Sequence, residues 1–108
     1  MKLKLVTEKM QELGFDLGEK TKDEFRQLAG ITALRQAQDG TYYIRNWWRG
    51  PLLYALLSHY RPHNVLEFGT GRGYGALSMA KASMEQGFEC MIWTIDHIPP
   101  AARQRWDI

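Results

Sequence analysis

The 108-residue chain holds a single cysteine, Cys90, so it can form no internal disulfide. A lone thiol fits a reducing compartment and removes disulfide-stapled scaffolds from consideration. Inside an apolar segment its expected role is that of a small buried hydrophobe. With no second cysteine, His59, His63 and His97 cannot complete a cysteine–histidine zinc cluster, and their spacing matches no zinc-ligand pattern. No apolar run approaches the length of a membrane span. Residues 1–6 are basic and apolar, but Thr7-Glu8-Lys9 interrupts them before a signal-peptide core develops. Charge of one sign is scarce as well: the net charge of +2 provides no strong field toward nucleic acid or anionic membrane. There is no internal repeat and no low-complexity tract. What is left is a cytoplasmic α/β domain of ordinary composition, long enough to bury a modest core.

Against these absences stands one dense motif, Val65-Leu66-Glu67-Phe68-Gly69-Thr70-Gly71-Arg72-Gly73-Tyr74-Gly75. An apolar strand, expected over 65–68, ends beside an acid, and glycines at 69, 71 and 73 open onto a helix expected over 74–86. Glycine turns admit positive φ and close approach of a ligand to bare backbone. The unpaired N–H groups at the start of the helix lie at the positive end of its dipole. The dinucleotide fingerprint G-x-G-x-x-G fails when counted from Gly69, because Tyr74 occupies its third glycine. Counted from Gly71 it survives only in the looser form that admits Ala76. The pattern acid-x-Gly-x-Gly-x-Gly is met in full by Glu67, Gly69, Gly71 and Gly73.

A second short strand is expected over 90–95, ending in Asp96 and followed by His97-Ile98-Pro99-Pro100. A right-handed crossover through 74–86 places the two strands parallel and side by side. Asp96 then emerges at the same carboxyl edge as the glycine turn, where open α/β sheets bind ligands. A carboxylate there accepts both hydroxyls of a ribose; the plainer alternative is that it caps a helix begun by the two prolines.

Upstream, Val6, Met10 and Leu13 recur at helical spacing before Gly14, and residues 17–20 read as a linker. Thr21-Lys22-Asp23-Glu24 has the form of a capping box, followed by an apolar stripe through Phe25, Leu28, Ile31 (or Thr32) and Leu34 that closes at Asp39-Gly40. Residues 40–50 interleave aromatic and basic side chains, which suits either packing or base stacking, the latter disfavoured by the near-neutral charge. Gly50-Pro51 opens a helix that is apolar almost all round and ends at Arg61-Pro62, as expected of a helix packed on the sheet.

Residues 44–100 resemble the start of a class I S-adenosylmethionine-dependent methyltransferase, with "VLEFGTGRGYGALSMA" as its first motif and "WTIDHIPP" as its second-strand acid. The interval from Glu67 to Asp96 exceeds that of compact members, and a longer helix through 83–86 with a turn at Gly87 absorbs it. The resemblance implies S-adenosyl-L-methionine as cofactor. Glu67 would hold its methionine amino group, the turn of Gly69, Thr70, Gly71 and Gly73 would pack on its methionyl and ribose parts, and Asp96 would take the ribose hydroxyls. His97 would contact the adenine or act as a base, or else is a solvent-exposed loop residue. The chain before the first motif covers the pocket in that family, which makes Trp47, Trp48 and Arg49 substrate-side candidates.

The expected architecture is therefore α/β: a helical amino-terminal extension over 1–43, then the first βαβ unit of a Rossmann-like methyltransferase domain over 44–108. Such a sheet has about seven strands by that resemblance, so the chain reads as truncated, a piece of a longer protein or one completed by a partner, without turnover alone. The acceptor and the catalytic residues are not legible. An open sheet edge suggests homo-oligomer formation. The competing functions are a nicotinamide-dependent oxidoreductase fragment, which gives Glu67 no role, and a non-catalytic module docking through that edge.

Overall fold

The computed structural model describes residues 5–32, 47–71 and 73–97. In chain order the elements are helices α1 (Val6–Glu12), α2 (Glu19–Ile31) and α3 (Arg49–Tyr60), strand β1 (Asn64–Phe68), helix α4 (Tyr74–Gln86) and strand β2 (Met91–Ile95). The two strands pair in parallel, with Asn64 opposite Met91, Leu66 opposite Trp93 and Phe68 opposite Ile95. This is the topology expected from two apolar runs separated by a glycine turn and a helix. Cys90 falls just outside β2, half-buried, and burial pushes its thiol up.

Local chemistry sets the helix ends. After α1 the chain turns through Gly14 at φ +72°, a left-handed conformation that glycine takes without strain. Thr21 does not cap α2; Gly18 stands at the N-cap in extended backbone, and Glu19 supplies the acid of the first turn. The supposed capping box therefore lies inside the helix. Its charges pair along one face instead, Lys22 with Glu19 and Arg26 with Asp23. The helix ends at Ile31, earlier than the pattern suggested, where the Thr32 hydroxyl donates to the Leu28 carbonyl at 2.8 Å. Its buried stripe is Phe25, Ala29 and Thr32, whereas Ile31 is 72% exposed. The expected stop at Asp39-Gly40, the aromatic residues 40–46 and the helix expected from Pro99 lie outside the described residues. Helix α3 ends on Arg61 at φ +45° before Pro62, which cannot continue it.

Two buried clusters meet on α3. Phe25, Tyr54, Leu57, Met79 and Ala82 form one, with Val65, Ile92 and Phe88 packed against it. Met10, Leu17 and Ala55 form the other, joined by Val6, Trp48 and Leu52. Helix α3 thus lies chiefly against α4, with α1 and α2 on its other sides, rather than on the sheet. Sandwiching between helices explains its nearly all-round apolar surface. Tyr54 anchors the first cluster, edge-to-face with both Phe15 and Phe25 at 5.6 Å between centroids.

Helix α3 packs tightly on α4 at Gly50. A Cβ there would lie 2.6 Å from Tyr74 Cζ and 2.7 Å from Ser78 Oγ, both residues being fully buried. Gly50→Ala should therefore destabilise the fold by about 1–3 kcal/mol through overpacking. Gly30→Ala, in a helical position with nothing near its missing Cβ, should stabilise by about 0.5–1 kcal/mol. Urea unfolding of the two variants should give midpoint shifts of opposite sign.

Helix α2 is also tied to α4 by charge: Lys81 meets Glu24 at 2.8 Å and also bonds Glu85. Burial opposes the Lys81 charge, but the bonds to Glu24 and Glu85 outweigh it and hold the ammonium above the usual lysine range. The hydrogen bond from Lys81 holds Glu24 below the usual carboxylate range. Glu24 contributes stability that is complete above the usual carboxylate range and fades as acid protonates it. Lys81 contributes below the usual lysine range and fades as alkali deprotonates it. Lys81→Met should flatten both limbs of the stability–pH curve, read from urea midpoints across pH.

Candidate functional site

At the carboxyl edge of the sheet, β1 runs into the turn of residues 69–73 and Asp96 directly follows β2. The Gly69 N–H donates to the Ile95 carbonyl at 2.7 Å, carrying the ladder one step past the strand. Gly69, Gly71 and Gly73 all have positive φ, at 89°, 54° and 88°. Side-chain-bearing residues rarely adopt this backbone, so the three glycines are a geometric requirement of the turn. Gly73 closes it, donating to the Thr70 carbonyl at 2.9 Å while its own carbonyl accepts from Leu77 at 2.8 Å.

Side chains from both strands converge on this turn. Thr94 is the register partner of Glu67 and donates its hydroxyl proton to Glu67 Oε1 at 2.9 Å. Because a hydroxyl has one proton to give, Thr70 must be the donor to Thr94 at 2.6 Å. A directed relay Thr70–Thr94–Glu67 therefore ties the turn to both strands. Asp96 Oδ2 accepts from the Gly71 N–H at 2.7 Å. Asp96 thus pins the glycine turn, a role the sequence reading did not foresee.

Glu67 is further placed by Gly75, the second residue of α4. A Cβ at Gly75 would collide with Glu67 Oε2 and lie 3.0 Å from Arg49 Nη2. The missing side chain is what lets the carboxylate and the guanidinium reach the start of the helix together. Glycine inside a helix costs about 1 kcal/mol relative to alanine, so its presence there calls for a reason of this kind.

The seven proposed cofactor residues share this edge, yet differ in access. Glu67 and Thr70 are half-buried, Gly73 is buried, and Gly69, Gly71, Asp96 and His97 are exposed. The substrate-side candidates divide. Trp47 and Trp48 stack with centroids 4.3 Å apart, and the Arg26 guanidinium sits 4.6 Å from the Trp47 ring centre. Both rings pack into the buried clusters of the helical layer. The Trp47 carbonyl is joined to the turn side through the hydroxyl of Tyr74. Arg49 reaches the Glu67 carboxylate region itself.

Two concavities lie elsewhere. A groove of about 640 Å³ at the amino ends of the strands is lined by His63, Ser83, Met84, Phe88, Cys90 and Met91, among others. A cleft of about 240 Å³ lies between α1, α2 and Trp48. Neither includes a residue of the glycine turn. Among the described residues, no group of three or more His, Cys, Asp or Glu side chains could hold a metal ion. No described helix is long and apolar enough to cross a membrane.

No family model matches the chain, and neither a curated protein nor a solved structure matches it.

Gly75→Ala should lower stability, although helix propensity alone predicts a gain of about 1 kcal/mol. Combined with Glu67→Ala, which vacates the collision space, the same substitution should recover much of that gain. A double-mutant cycle in urea checks this: additive effects would show that Glu67 does not fill the space over Gly75.

Proposed function

We propose that the carboxyl edge of the β1-α4-β2 unit binds S-adenosyl-L-methionine, and that the chain is the cofactor-binding part of a class I methyltransferase with a Rossmann-like sheet. The observation that carries this reading is the placing of two carboxylates, Glu67 on β1 and Asp96 directly after β2, at the same sheet edge as the glycine turn that Asp96 pins. Carboxylates only accept hydrogen bonds, so the pair suits a ligand presenting donors, an ammonium at Glu67 and ribose hydroxyls at Asp96. The turn has room for such a ligand, since a Cβ built at Gly69 or Gly71 meets nothing within 4 Å.

When bound, the cofactor supplies an electrophilic methyl group on a sulfonium. The protein's share is to fix donor and acceptor in line, a proximity effect. Glu67, held by Thr94, orients the amino acid end. Asp96 holds the ribose, with Thr70 and Gly73 shaping the turn and His97 beside the adenine. Arg49, with Trp47 and Trp48 behind it, stands on the acceptor side. A nicotinamide dinucleotide fits less well, because its pyrophosphate would approach the turn beside Glu67, and the Gly71 N–H already serves Asp96.

Calorimetric titration with S-adenosylmethionine and NAD in parallel tests the reading, with binding expected for the first alone. Asp96→Ala should weaken that binding about tenfold to a hundredfold, the equivalent of about 1.5–3 kcal/mol for hydrogen bonds to a charged group. NAD binding instead, or unchanged affinity in Asp96→Ala, would overturn it.

A further inference from the structure

The sheet has a covered face and an open one. Val65 and Ile92 point toward the buried cluster under α4. Leu66, Phe68, Met91, Trp93 and Ile95 occupy the other face, in cross-strand register, and each is between 53% and 79% exposed. Parallel sheets are ordinarily covered on both faces, because their strands are apolar on both. We infer that this open face docks a second copy of the chain, sheet against sheet.

Three features fit that occupant. The five residues, each more than half exposed, open an apolar area approaching the roughly 800 Å² that each partner contributes to a standard interface. Such a patch lies at the upper end of what a monomer leaves open. The face carries no charged side chain at the paired positions 64, 66, 68, 91, 93 and 95, so a two-fold copy brings no like charges together. One polar pair closes within the face: Trp93 Nε1 donates to Asn64 Oδ1 at 3.4 Å across the strands. Packing without water therefore does not orphan the Trp93 N–H. Two such sheets would stack about 10 Å apart with their side chains interdigitated. The contact is distinct from strand addition at the open edge, since it uses side chains and leaves the backbone rows untouched.

Sedimentation equilibrium of the purified chain tests this, with a reversible dimer expected. Phe68→Lys and Leu66→Lys alter exposed side chains and should each weaken dimerisation tenfold or more, about 1.4 kcal/mol or above. Met84→Lys, equally exposed on α4, should leave it unchanged. Far-UV circular dichroism establishes that each variant is folded, and Trp93 fluorescence should shift to longer wavelength as the dimer dissociates. A parent that remains monomeric, or a dimer indifferent to both face variants, would overturn the inference and point to another occupant or to the strand edges.

Discussion

Tyr74 lies fully buried where the starts of α3 and α4 converge, its hydroxyl bonded to the Trp47 carbonyl and its ring against the bare backbone of Gly50. Much of the molecule depends on this one junction. It sets how deeply α4 settles onto α3 and hence where the first turn of α4 begins. That start fixes Gly73 and Gly75, and through them the reach of the Glu67 carboxylate. A phenol is well suited to the position: the ring contributes large apolar burial, and its single polar atom adds a second bond to a Trp47 carbonyl that already accepts from the Gly50 N–H. The side chain that breaks a dinucleotide fingerprint is therefore the one that joins the helical layer to the ligand edge.

The β-α-β core was legible because its signals are local and repeated. The span 74–86 matches α4 from end to end, since Gly73 and Gly87 both take positive φ and bracket an unbroken helical run. The strands were found within one residue from their apolar runs. Helix α2 was harder. Thr21 and Glu24 have capping-box spacing, but an extended Gly18 followed by Glu19 starts the helix earlier, and the box is spent inside it. The packing of α3 was misjudged for a different reason. An all-apolar helix is equally suited to a sheet or to a nest of other helices, and periodicity carries no information about which.

Within the site, the acids and glycines were visible as a pattern along the chain, whereas Thr94 and Gly75 were not. Their roles arise between elements: Thr94 lies beside Glu67 only through strand register, and Gly75 matters only because a carboxylate passes over it. The register could have been anticipated by aligning the two parallel strands at their carboxyl ends. Setting Phe68 opposite Ile95 brings Glu67 to Thr94 directly. The split between the two sheet faces was hidden too, because the polar Glu67 and Thr94 share the face of Val65 and Ile92 that α4 covers, so polarity along the strands does not mark the open face.

The crossover has a consequence for how the chain reaches its fold. Asn64 cannot meet Met91 until the intervening turn and α4 have brought the strands side by side, and hydrogen bonding between them is the gain that follows a costly closure. Contacts of α4 with α3 close loops of much the same length, 24 residues from Gly50 to Tyr74 against 27 from Asn64 to Met91, and they bury more apolar side chains. Chain entropy therefore ranks neither closure ahead of the other, and the packing of Tyr74 and Ser78 against Gly50 is expected to form together with the strand ladder. With two open strand edges and an exposed apolar face, the sheet is the less covered part and the first expected to open, and its carboxyl edge keeps its geometry only while α3 and α4 stay packed side by side.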